Sequence, residues 1–174
     1  MSPEMKAGIV EAIPRFARLR IEQLDHIRDK VLESISSERE QIANLREVAW
    51  DDYLDRQDDD FFLFEAEGIV GGLLLVGLYS AVEHFTKQLL RHRYPPNKIE
   101  LCYRIEYLQE ALAKDCDVNL AGVPGFDAIN ELRGKSNQVK HGGPLGEPAL
   151  AAYERLRTAV VPYLERLALV IVPG

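Results

Sequence analysis

Apolar side chains recur along most of the chain at the spacing of an α-helix, and this periodicity limits the possible folds. Between residues 9 and 48, one set of apolar residues recurs at gaps of 3, 4, 7 or 8, which places them on one face of a helix: Ile9, Ile13, Phe16, Leu24, Ile27, Val31, Ile35, Ile42, Leu45 and Val48. Leu150 to Ile171 keep a similar spacing. No segment alternates with the period of two that is typical of a half-buried β-strand. The sequence therefore predicts an all-α fold, a bundle of four or five helices with a long N-terminal helical arm.

Proline, glycine and capping residues divide this pattern into segments. Pro95-Pro96 ends one helix, and Asn97 with Glu100 three residues later is typical of a capping box that opens the next. Gly142-Gly143-Pro144 ends another helix. The helices predicted after the N-terminal section span residues 61–94, 98–114, 126–141 and 148–172.

An acidic segment separates the first helical section from the others. Six of the ten residues from Asp51 to Asp60 are aspartates. We expect a solvated linker or a turn here, since nothing in the sequence requires these carboxylates to converge on a metal ion. The chain is then a single domain of two parts, with residues 1–60 as the N-terminal helical arm and residues 61–174 as the bundle.

Charge and composition disfavour several classes of protein. The formal net charge is −7, which disfavours strong binding to duplex DNA but is compatible with a small cationic site on an acidic body. The most apolar stretch, Ile69 to Val82, holds 14 residues without a charge. A membrane span needs about 20 residues, so we expect a buried core helix and no membrane partner. The two cysteines match neither a CxxC pair nor a zinc pattern, which favours a reducing cytoplasm and predicts no metal or cofactor.

One segment, residues 131–142, carries the residues of greatest chemical interest. Arg133, Asn137 and His141 follow one another at intervals of four residues, so they form a polar stripe beside the buried face of a helix. Asn130 lies in the same arc, and Lys140 lies close to it. The neighbouring Gly134 and Ser136 are small, which predicts that the stripe is accessible to a ligand.

These residue types are sufficient for metal-independent cleavage of RNA. An imidazole titrates near neutral pH and can move a proton to or from a ribose 2′-hydroxyl or a leaving 5′-oxygen. The cations of Arg133 and Lys140 can bind the phosphate and stabilise its developing charge. A purely structural interpretation is also open, in which His141 is an ordinary helix terminus and Arg133 pairs with Glu131 or Glu83.

The stretch from Arg133 to Gly142, late in an all-helical chain of this size, resembles the signature of the HEPN superfamily (higher eukaryotes and prokaryotes nucleotide-binding). That signature is an arginine, usually followed by a polar residue such as asparagine, and a histidine separated from the arginine by four to six intervening residues. Asn137 and His141 match the second half of the signature. The superfamily's arginine falls at Ser136, so either Arg133 replaces it from the preceding helical turn or the site lacks that cation. Some branches carry an Asn-x-x-Lys-His form, which Asn137 to His141 resembles.

The resemblance implies a helical bundle, a homodimer and a metal-independent ribonuclease of a toxin–antitoxin or defence system, with a nucleotidyltransferase-type antitoxin as partner. His141, Arg133 and Asn137 would be the catalytic residues. Lys140, Ser136 and Asn130 would contact the phosphate or RNA. Glu83 would support the site by approaching Arg133 or Asn137; the alternative is an exposed Glu83 paired with Lys87.

Two non-catalytic interpretations of the chain also fit its sequence. One is a dimerisation module, or a nucleotide-binding or partner-binding module, of the same fold, which the serine at position 136 and the acidic net charge favour. The other is a coiled-coil interaction protein that binds its partner through residues 9–48.

Overall fold

A computed structural model describes residues 3–101 and 105–172, and these residues form helices joined by short connections. The all-α prediction is confirmed, since the described residues include no β-strand. They form a single 3₁₀ turn, Leu120–Gly122, and six α-helices: α1 Pro3–Val48, α2 Trp50–Leu90, α3 Pro96–Leu101, α4 Ile105–Cys116, α5 Phe126–Lys140 and α6 Ala149–Ile171.

The core of the bundle is arranged around α6, which buries one apolar face from its first turn to its last. The first half of α1 packs on α6 through residues from Ile13 to Leu24, and the second half of α2 contributes residues from Leu74 to Leu90. Phe126, Ile129 and Leu132 of α5 complete this core. The spacing of three and four residues within each helix therefore produces one continuous apolar interior.

A partly buried polar network fixes the orientation of α1 on α6. The Tyr153 hydroxyl donates a hydrogen bond to Asp25 over 2.8 Å, and the Arg157 guanidinium donates to the second oxygen of the same carboxylate over 2.7 Å. Arg28 donates to both Asp25 and Glu154. Burial, followed by the bond to Asp25, raises the pKa of Tyr153 well above its usual range, so its hydroxyl remains a donor. Each charge in the network thus has a partner of opposite sign.

The second half of α1 and the first half of α2 extend beyond the bundle as a helical hairpin, defined here as residues 30–66. The 46 residues of α1 span about 69 Å, twice the length of the 23-residue α6. Helices α1 and α6 run antiparallel, because Arg18 of α1 faces Glu165 near the end of α6 and Arg28 faces Glu154 near its beginning. Past that point, ion pairs of Arg39 with Glu67 and of Arg56 with Glu38 join α1 to α2.

The structure corrects the prediction of an acidic linker, since residues 51–60 lie within α2. Asp51 and Asp52 occupy its first turn, where negative charge stabilises a helix N-terminus. Arg56 pairs with Glu38 and Asp59 and so offsets part of the acidic charge. The helix predicted over residues 98–114 corresponds to α3 and α4, and residues 102–104 lie outside the described part of the chain.

The apolar stretch of α2 is buried on one face only, so the prediction of a buried core helix holds for half of its surface. Leu74, Leu75 and Leu78 lie in the core, whereas Ile69 and Leu73 are exposed. By length and composition alone, α2 contains an 18-residue window that could cross a membrane, and 28% of that window is buried. The buried core helices of soluble proteins also contain windows of this length and hydropathy. The unusual feature is the large apolar surface that α2 leaves exposed.

Two glycines of α2 provide a matched test of the packing. A Cβ atom at Gly71 would lie 2.6 Å from the backbone nitrogen of Leu150, whereas one at Gly68 would meet no atom within 4 Å. We therefore expect Gly71→Ala to lower the free energy of unfolding by about 1–3 kcal/mol through overpacking against α6. Gly68→Ala should raise it by about 0.5–1 kcal/mol, because alanine favours the helix. Urea denaturation measures both; equal effects of the two substitutions would contradict this packing.

Candidate functional site

The polar stripe lies at the carboxyl end of α5, where the sequence requires the helix to stop. Gly142 adopts a left-handed conformation with φ of 68°, and its amide donates to the Val139 carbonyl. The Gly143 amide donates to the Gln138 carbonyl over 2.7 Å, which completes a Schellman motif. His141 is the last residue before this turn. Its imidazole is exposed to solvent at the negative end of the helix dipole.

The structure brings most of the predicted site residues onto one accessible face. His141, Asn137, Lys140 and Asn130 are exposed, and Arg133 is half-buried. Because α5 is a regular helix from Phe126 to Lys140, Arg133 and Asn137 lie one above the other, with His141 following at its end. The stripe can therefore contact a ligand over about two helical turns.

Tyr79 of α2, which is not among the site residues predicted from the sequence, adds a hydroxyl to this face. The Lys140 ammonium lies 6.0 Å from the centre of the Tyr79 ring. Burial and the charge of Glu83 raise the pKa of Tyr79 to about 12, while the charge of Arg133 acts in the opposite direction. Glu83 and Arg133 thus act on the same hydroxyl, which stays protonated at neutral pH. The sequence signal was the spacing of Tyr79 and Glu83, four residues apart beside the core face of α2.

Ser136 does not belong to the accessible stripe, which corrects its assignment as a phosphate-binding residue. Its side chain is fully buried, and its Oγ has no hydrogen-bond partner among the described residues. The reason is its register: position 136 follows the buried Leu132 by four residues and Ile129 by seven, so it lies on the core face. The position that matches the superfamily's arginine therefore points into this bundle.

An ion-pair cluster holds the loop that follows His141 against α5 and α6. The nearly buried Lys135 ammonium lies 2.7 Å from Glu147 and donates to the Leu145 carbonyl over 3.0 Å. Arg155 of α6 donates to Glu131 and Glu147 over 2.6–2.9 Å. The three glycines of this loop would by themselves allow it many conformations. The cluster instead fixes the loop beside the stripe.

A groove of about 520 Å³ lies next to this loop, between α2 and the end of α5. Its walls are largely apolar or glycine: Gly68, Ile69, Gly72, Leu73, Val139, Gly142, Gly143 and Leu145, with Glu65 at one side. Across the described residues, no group of three histidine, cysteine, aspartate or glutamate side chains could hold a metal ion. The charged side chain at the groove itself is that of Glu65, and Val139 and Gly142 join its wall to the end of α5 that carries the stripe.

Comparisons with protein-family models, with curated proteins and with solved structures give no match for this chain.

The ion-pair cluster predicts a loss of stability in acid. The Arg155 guanidinium holds the pKa of Glu131 below its usual value, and the Lys135 ammonium does the same for Glu147. A carboxylate whose pKa is lowered by folding stabilises the protein above its unfolded-state pKa, about 4.5, and this stabilisation is lost as the pH falls. Glu147→Gln should therefore lower the Tm at pH 7, and this effect should diminish as the pH falls below about 4.5.

Glu22→Gln is the control for this measurement, because Glu22 is exposed on α1 and lies outside the cluster. Thermal unfolding followed by circular dichroism at several pH values measures both variants. A Glu147→Gln variant that matches the parent at pH 7 would show that the ion pairs do not stabilise the loop.

Proposed function

We propose that this chain binds RNA through the α5 stripe and cleaves it without a metal ion, with His141 as the proton-transfer residue. The observation that supports this most directly is the solvent-exposed His141 imidazole, which shares one helical face with the Asn137 amide, the Lys140 ammonium and the half-buried Arg133. The resemblance to HEPN ribonucleases assigns Asn137 and His141, and Arg133 would have to replace the superfamily's arginine from the preceding helical turn. A toxin–antitoxin or defence role, a nucleotidyltransferase-type antitoxin and a cytoplasmic location are part of this proposal.

The chemistry assigned to the site is an internal transesterification. The ribose 2′-oxygen attacks the adjacent phosphorus and loses its proton, while the bond from phosphorus to the 5′-oxygen breaks and that oxygen gains a proton. The products end in a 2′,3′-cyclic phosphate and a 5′-hydroxyl. His141 transfers one of these protons, since an imidazole can donate or accept one near neutral pH.

The remaining residues bind and neutralise the phosphate. Arg133 and Lys140 supply positive charge beside it, which stabilises the additional negative charge of the transition state. The Asn137 amide can donate a hydrogen bond to a phosphoryl oxygen. Tyr79 can donate a second one, because its raised pKa keeps the hydroxyl protonated.

RNA cleavage by the purified protein in EDTA tests this proposal. His141→Ala should lower the rate at least about 100-fold, the usual contribution of a general acid or base. His26→Ala is the matched control, because His26 is exposed on α1 and should be dispensable. Arg133→Ala should also reduce the rate, whereas Arg166→Ala, at an exposed position of α6, should not. If His141→Ala cleaves RNA as fast as the parent, the assignment of His141 is wrong.

The second function to consider is a non-catalytic module of the same fold. The buried Ser136 at the position of the superfamily's arginine favours it, since that register offers no cation to a substrate. On this alternative the stripe is a phosphate-binding surface. Two results together would support the module over the ribonuclease. The protein would bind RNA without cleaving it, and Lys140→Ala would abolish this binding.

A further inference from the structure

A second groove, of about 850 Å³, lies between the first half of α1 and the carboxyl end of α2. Cavities that bind small molecules usually have volumes of about 300–1,000 Å³, with apolar walls and a few polar groups. None of the described residues that line this α1–α2 groove belongs to α5, so it is separate from the His141 stripe. Its size and position make it a second candidate site.

Helix α1 supplies an apolar wall whose members are three or four residues apart: Ile9, Ala12, Phe16 and Leu19. Phe16 and Leu19 are 57% and 47% exposed, so the bundle leaves this wall in contact with water. An apolar ligand that covers the wall would gain free energy by its own burial. The lining extends from Met5 to Gln23, which are 18 residues or about 27 Å apart along α1, and this length suits an extended ligand.

Helix α2 supplies a polar wall on the opposite side of the groove. His84, Gln88 and His92 follow one another at intervals of four residues, so they form one line along the helix. Both imidazoles are exposed, and imidazole and amide groups can each donate and accept hydrogen bonds. The two walls together therefore match an amphipathic ligand better than a purely apolar one.

A cation lies where this groove meets a smaller cavity of about 480 Å³. The two cavities share Arg20, His84 and Phe85, and the smaller one adds the hydroxyl of Ser80. The Arg20 guanidinium donates a hydrogen bond to the neutral Gln23 over 3.0 Å. Among the described residues that line either cavity, none is an aspartate or a glutamate. The positive charge of Arg20 is thus unbalanced within the groove, and a carboxylate is a well-matched partner for a guanidinium.

We propose that the α1–α2 groove binds an amphipathic carboxylate of the fatty-acid type. Its carboxylate pairs with Arg20 and accepts a hydrogen bond from His84, and its aliphatic chain lies along the apolar wall towards Ile9. A lipid surface fits less well, because a helix that lies on a membrane keeps its polar groups on the side away from the acyl chains. Here the polar line of α2 faces the apolar wall across the groove. This inference goes beyond the proposed RNA cleavage and does not depend on it.

Isothermal titration calorimetry with ligands that differ in one property tests the two halves of the site. Dodecanoate and decanoate are used below the concentrations at which they form micelles, at a pH where both are ionised. Dodecanoate should bind about tenfold more tightly than decanoate, because it buries two more methylene groups. The neutral 1-decanol should bind about fivefold more weakly than decanoate, because it lacks the charge that pairs with Arg20. A protein that binds neither acid, or both acids equally, overturns the proposal.

Two substitutions in the groove, each with a matched control, locate the binding. Arg20→Gln should weaken decanoate about fivefold and leave 1-decanol unchanged, whereas Arg15→Gln, at an exposed position of α1 outside the groove, should change neither. Phe16→Ala should weaken both ligands at least about fivefold, and Ile27→Ala, also exposed on α1, should not. Circular dichroism checks that the helices remain. Equal losses in a groove variant and its control overturn the proposed site.

Sedimentation with vesicles of phosphatidylcholine and phosphatidylglycerol distinguishes a free acid from a lipid surface. The protein should remain in the supernatant, and vesicle binding that Phe16→Ala abolishes would replace the proposed ligand with a membrane. The His141→Ala variant should bind decanoate as tightly as the parent, because His141 lies outside the groove. A failure of the proposed catalysis is therefore distinguishable from a failure of this site.

Discussion

The close approach of α2 and α6 at Gly71 is the contact on which the rest of the structure depends. A Cβ atom there would lie within 3 Å of Ala149 and Leu150, so the first turn of α6 can pack directly on the backbone of α2. One residue further along α2, Gly72 lies against Val139 of α5. Two adjacent glycines thus hold both ends of the loop that follows His141, and the ion pairs of Lys135 and Arg155 then fix its path.

This packing explains why the chemistry collects at the end of α5. A helix that ends in a Schellman turn over another helix presents its last side chains to solvent while its core face stays buried. His141 and Lys140 are exposed because they lie at this end of the helix. Ser136 is buried because it lies on the core face. The acidic protein therefore displays the positive charges of Arg133 and Lys140 together on one small part of its surface.

The two faces of α2 have different surroundings. The bundle buries one face of α2, and the hairpin extends the opposite face into solvent with its aromatic residues uncovered.

Local spacing in the sequence determined the all-α class, the ends of α5 and α6 and the register of Arg133, Asn137 and His141, because helix periodicity and glycine stops act over a few residues. Only the tertiary structure decided that residues 51–60 are helical, since their ion pairs join residues that are distant in sequence, such as Arg56 and Glu38. It also decided that Ser136 is buried, that Tyr79 joins the site and that one face of α2 is uncovered. Each of these depends on which helix lies opposite, and a single helix's pattern does not encode its neighbour.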